Sequence, residues 1–241
     1  MRIQTRTHAR RRHVCALLAT LIAIPCAGVR AEPAQIGSPH NRDHTSQAVD
    51  LAVRAKLQAS IDALLDYPDL AQRVQTLGLQ RTIFCDACHG ERGISVRPEV
   101  PNLAGQSPVY LLDQFQRFGD GRRYDFTMTT LASSFSGEEK AMLALYYSRM
   151  TPGTAGGGTR EQIAEGKRLY APTCAACHGE TGRGEKGYAR LAGQRPTYVI
   201  NMLREFRNST GRRTNPWMSA VTQGLSDQEI ENLAYFIANM E

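Results

Sequence analysis

Two short stretches of the 241-residue chain carry residue types that can do chemistry together: Cys85-Asp86-Ala87-Cys88-His89 and Cys174-Ala175-Ala176-Cys177-His178. Two sulfurs three positions apart on a helical turn can each add to one vinyl group of a single haem. The histidine that follows at once then lies beneath the iron as its proximal ligand. A Cys-x-x-Cys pair also suits a thiol-disulfide centre or half of a zinc site. The first needs strands alternating with helices and explains neither trailing histidine, and the second needs the two motifs to converge or other ligands nearby. Covalent haem attachment through Cys85, Cys88, Cys174 and Cys177 is the reading both motifs share, with His89 and His178 on the two irons.

What occupies the far side of each iron separates electron transfer from catalysis. The methionines fall into two equivalent pairs, Met128 with Met218 and Met150 with Met240, while Met142 and Met202 have no methionine counterpart. Met150 and Met240 close amphipathic helical stretches, where methionine serves as flexible packing. Met128 and Met218 stand about 40 residues beyond each motif in Arg- and Thr-rich stretches that read as polar loops, and are the expected thioether ligands. Histidine on both faces is the rival, but His40 and His44 read as part of a solvated N-terminal loop. Saturation by His and Met leaves no open iron for peroxide or oxygen.

The elements that must position these groups are visible as an internal repeat. A shift of 89 superposes the haem motifs, and a shift of 88 lays Asn102-Leu103-Ala104-Gly105-Gln106 on Arg190-Leu191-Ala192-Gly193-Gln194. With it go Tyr110 on Tyr198 and Phe118 on Phe206; a shift of 90 aligns Gly121-Arg122-Arg123 with Gly211-Arg212-Arg213. Ser136 with Glu139, Thr159 with Gln162, and Ser226 with Glu229 read as capping boxes. The first and last open closing helices whose apolar faces include Leu143, Tyr146 and Tyr147, and Ile230, Leu233, Phe236 and Ile237. Strand signals are absent, so the expected class is all-α. Ahead of the repeat, Val49, Val53, Leu57, Ile61 and Leu64 predict an amphipathic helix ending before Pro68, with a second helix starting near Asp69.

The expected organisation is a signal peptide over 1–31, an N-terminal extension with its amphipathic helix over 32–68, a first cytochrome c domain over 69–150, a Gly-rich linker over 151–158 and a second domain over 159–241. The signal rests on five arginines without an acid in the first twelve residues, followed by a short apolar run and Ala31. Its six arginines account for the basic balance, since 23 basic side chains then face 23 acidic ones. Nucleic acid is thereby excluded as a partner on charge grounds.

The haem motifs, the repeated Leu-Ala-Gly-Gln, Met128 and Met218, and the closing helices together resemble the dihaem cytochrome c4 family over roughly residues 70–241. The resemblance implies two covalently bound haem c groups, two class I cytochrome c domains about a pseudo-twofold axis, and propionates facing across the interface. By it, His89 and Met128 hold the first iron and His178 and Met218 the second. Pro101 matches the family proline whose carbonyl orients the proximal histidine, and the second half has Ala189-Arg190 in that region. Tyr110, Tyr198, Trp217, Arg123 and Arg213 are candidates to meet propionates.

The function expected is a periplasmic carrier of single electrons between redox proteins. A quinol–cytochrome c reductase or a dehydrogenase would be the donor and a terminal oxidase the acceptor, and peripheral membrane association is compatible with this. A cytochrome subunit of one dehydrogenase or oxidase, and a dihaem peroxidase or sulfur-compound oxidoreductase, are the alternatives.

Overall fold

The computed structural model describes residues 44–241, with side chains from residue 51 onward. The expected signal segment and His40 lie outside the described residues. Eleven α-helices are found among the described residues, which contain no strand, in line with an all-α class.

The N-terminal helix α1 (His44–Leu65) is followed after Pro68 by α2 (Leu70–Arg81). His44 therefore opens a helix and does not stand in a loop. The apolar face of α1 is the expected one: Leu57, Ile61 and Leu64 are buried. They pack with Val109 and Leu112 of α4 (Pro108–Gly119) and with Leu145 and Tyr146 of α6 (Gly137–Ser148) in one core. Burial of each such aliphatic side chain contributes about 2 kcal/mol. The same helix reaches the second half, where the Arg54 guanidinium lies 3.7 Å over the Tyr188 ring.

The repeat appears as one five-helix unit built twice. In the first copy α2 runs into α3 (Ile83–His89), then α4, α5 (Phe126–Ser134) and α6. In the second, α7 (Arg160–Thr173) runs into α8 (Ala175–His178), then α9 (Pro196–Asn208), α10 (Pro216–Thr222) and α11 (Asp227–Ala238). In each, the closing helix packs on the leading helix and on the third: α6 on α2 and α4, α11 on α7 and α9. All three expected capping boxes are formed, at Ser136, Thr159 and Ser226, each satisfying backbone N–H groups that the first turn leaves without a helical partner. Between the units, residues 151–158 contain no helix.

The leading and closing helices cross at a pair of equivalent glycines that sequence reading passed over. A Cβ on Gly166 would stand 2.1 Å from the Asn232 carbonyl oxygen and 2.6 Å from Phe236 Cβ; one on Gly78 would stand 2.2 Å from a ring carbon of Tyr146. The obstacle at Gly166 is backbone, which cannot swing aside. Gly166→Ala is therefore expected to destabilise the second domain by about 1–3 kcal/mol, and Gly78→Ala by less because a ring can give. The guanidinium chloride midpoints of the two holoproteins check both the sign and the order.

Candidate haem-binding sites

Each Cys-x-x-Cys-His motif ends a short helix. The chain turns sharply at a glycine with positive φ, Gly90 (77°) after His89 and Gly179 (82°) after His178, a conformation that a side chain would strain. It then doubles back, with Leu103 and Ala104 donating to the Gly93 carbonyl as Leu191 and Ala192 do to that of Gly182. This return brings a backbone carbonyl to each buried imidazole. His89 Nδ1 is 2.9 Å from the Pro101 oxygen and His178 Nδ1 is 2.9 Å from the Ala189 oxygen. The second half makes the orienting contact without a proline, because the carbonyl and not the ring supplies it. Burial pushes both imidazoles below the usual histidine range, against the opposing effect of these carbonyls. The Tyr188 ring under Arg54 is edge-on to that of His178, with centroids 6.1 Å apart.

Met128 and Met218 are not in loops. Each is the third residue of a short helix, α5 or α10, and its N–H is accepted by the side chain of the N-cap, Asp125 (2.9 Å) or Asn215 (3.0 Å). The polar surroundings that read as loops are the caps of these helices. Met150 and Met240 pack against the two hydrophobic cores, as expected of gap-filling methionines.

A cavity of about 980 Å³ is lined by both motifs, Met128, Met218, and the tyrosines and arginines between the halves. Arg123 and Arg213, equivalent in the repeat, face each other in an isolated antiparallel bridge. Arg123 Nη2 donates to the Tyr198 hydroxyl at 3.1 Å, Arg213 Nη1 to the same hydroxyl at 3.4 Å, and Arg213 Nη2 to that of Tyr110. Burial opposes ionisation of the Tyr198 hydroxyl, yet the two guanidiniums hold its pKa below the usual tyrosine value. Trp217 lines the cavity and is 42% exposed.

The alternatives to haem fit poorly. Burial pushes the Cys174 thiol up to about 12 and raises that of Cys85, whereas a thiol-disulfide centre depends on a lowered value. Among the described residues no three His, Cys, Asp or Glu side chains converge in a zinc-like cluster. Haem fits better. The buried Nε of Arg190, which lines the cavity, has no hydrogen-bond partner, and two guanidiniums cluster at Tyr198 with hydroxyl and amide oxygens as their partners. Carboxylates entering an apolar cavity would satisfy such cations.

Comparison with known proteins decides the matter. The family model for cytochrome c matches residues 163–241. Cytochrome c4 of Pseudomonas aeruginosa is 33% identical, over 68% of this chain and 87% of its own length. The crystal structure of reduced recombinant cytochrome c4 from Pseudomonas stutzeri superposes with a TM-score of 0.63 at 30% identity, over 68% of this chain and 97% of that one. The chain belongs to the cytochrome c4 family. A further relative, named thiosulfate dehydrogenase electron acceptor in Stutzerimonas stutzeri, is 30% identical over 65% of this chain and 78% of its own length.

As a member of the cytochrome c4 family the protein carries two covalently bound haem c groups in two tandem class I cytochrome c domains, and it serves electron transfer. A bound haem supplies an iron that takes up and releases one electron. The chain supplies the enclosure and the fixed imidazoles, and Arg123, Arg213 and Arg190 are suited to meet propionates. Sequence reading missed Gln106 and Gln194, whose side chains cross between the halves; their recurrence in the repeated Leu-Ala-Gly-Gln was the available signal.

Since the Pro101 carbonyl and not its ring meets His89, Pro101→Ala should leave the ferric absorption spectrum of the holoprotein unchanged. Its stability cost should be at most about 1 kcal/mol, from the added freedom of the unfolded chain. Absorption spectra and denaturant titration of the variant check this.

Proposed function

We propose that this protein is an exported, periplasmic electron carrier in which Cys85 and Cys88 anchor the first haem and Cys174 and Cys177 the second. His89 with Met128 would hold the first iron, and His178 with Met218 the second. One observation carries the reading: each half lines the cavity with an imidazole held by a carbonyl and a methionine held on the first turn of a side-chain-capped helix. Two such ligands on each iron keep it low-spin through the redox cycle and exclude an external ligand, which suits transfer of electrons and not turnover of a substrate.

In this reading the protein accepts single electrons from a quinol–cytochrome c reductase or a dehydrogenase and delivers them toward a terminal oxidase. The domain limits are those of the repeat, 69–150 and 159–241, joined by the linker 151–158 and preceded by the extension 32–68 and a signal removed after Ala31. A second reading, service to one dehydrogenase, is favoured by the relative named as an electron acceptor of thiosulfate dehydrogenase. The helix α1 is then a natural place for stable association. Co-purification with a dehydrogenase through the final column would favour the second reading, and recovery of the free monomer the first.

The ligand assignment predicts two haems per chain by alkaline pyridine assay and no spectral change of the wild-type protein with carbon monoxide. Met128→Ala and Met218→Ala should each remove about half of the long-wavelength band of methionine-bound ferric iron and admit carbon monoxide at one haem. Carbon monoxide binding by the wild type would overturn the carrier reading in favour of an enzyme.

A further inference from the structure

We infer that Gln106 and Gln194 are positioning residues that act across the domain interface, each locking the peptide group that orients the proximal histidine of the other half. The inference rests on His89 and His178 being iron ligands, as proposed above.

The side chain of Gln106 leaves the first half and grips the backbone of Arg190: its Nε2 donates to the Arg190 carbonyl at 2.9 Å and its Oε1 accepts from the Arg190 N–H. That N–H belongs to the same planar peptide group as the Ala189 carbonyl, which lies 2.9 Å from His178 Nδ1. One edge of a single rigid plate is held by Gln106 while the opposite edge holds the imidazole. The first half repeats the arrangement in the other direction. Gln194 Oε1 accepts from the Asn102 N–H at 2.7 Å and its Nε2 donates to the Asn102 carbonyl at 3.1 Å. The Pro101–Asn102 peptide presents its other edge to His89 at 2.9 Å.

Both glutamines are only 6% exposed, so neither hydrogen bond is exchanged freely with water. Rotation of either peptide plate would break the bond to the imidazole and leave a buried N–H without a partner, and both losses oppose it. The bond at the N–H edge also polarises the carbonyl toward the imidazole N–H. An acceptor on that N–H fixes the tautomer and ring plane of a metal-bound histidine and raises its basicity. The glutamine of one domain thus sets the proximal ligand of the other.

The experiment compares the wild-type ferric holoprotein with Gln106→Met and Gln194→Met by proton NMR with 15N labelling. It follows the hyperfine-shifted proximal Nδ1–H of each haem and its exchange with solvent. Gln106→Met is expected to shift the signal of the second haem and speed its exchange by about threefold to tenfold, as expected for loss of the one ordinary hydrogen bond that holds the N–H edge of the 189–190 peptide, leaving the first haem unmoved. Gln194→Met should do the converse. If the methionine variants fail to incorporate both haems, Gln106→Asn and Gln194→Asn, which keep the amide but shorten the arm by one carbon, give the same comparison. A response at the haem of the mutated half, an equal response at both, or none at either overturns the inference. Absence of a hyperfine-shifted Nδ1–H in the wild type would overturn the ligand assignment, a result separate from an uncrossed response.

Discussion

The hydrogen bond from each buried imidazole to a backbone carbonyl sets the terms for the surrounding structure. A histidine that is to face an iron must present one nitrogen in a fixed plane, so its other nitrogen needs a partner that does not move. In both halves that partner lies about a dozen residues downstream, on a loop returning after the glycine that ends the haem-binding helix. The loop is held from its own half by bonds to Gly93 or Gly182, and from the opposite half by Gln194 or Gln106. Contacts between the two domains therefore reach the backbone beside both sites.

The helical frame serves this constraint. Leading and closing helices cross closely at Gly78 and Gly166 and leave the third helix to wall the cavity. Short capped helices bring Met128 and Met218 to its lining. The two halves differ chiefly in what is added to them. Only the first is preceded by α1, which completes its core and also sends Arg54 to Tyr188 beside His178. Arg123 and Arg213, equivalent in the repeat, meet at the interface in an antiparallel bridge, and their charges make that region fit for carboxylates.

Much of this was legible in the residues themselves. The number of haems, their covalent mode, the all-α class, the repeat and the capping boxes at Ser136, Thr159 and Ser226 depend on spacings of three to four residues or on self-similarity. Such relations are written along the chain. The amphipathic helix before Pro68 belongs with them, since its period of three and four follows from helical geometry. Met128 and Met218, expected as ligands in polar loops, line the cavity from short helices. Asp125 and Asn215 look like loop residues until their side chains are seen to accept the N–H of the third residue of a helix.

The rest was decided by tertiary structure. That Ala189 can stand in for Pro101 follows from the path of the returning backbone, which no side-chain identity records. The clamp between Gln106 and Arg190 joins residues 84 positions apart, and that between Gln194 and Asn102 spans 92. Nothing in a local pattern distinguishes a glutamine that crosses an interface from one that caps its own turn. The meeting of Arg123, Arg213, Tyr110 and Tyr198 likewise exists only once two homologous domains dock. Sequence spacing governs what a single helical turn can present to a cofactor; which groups from distant turns share one cavity depends on the packing that closes it.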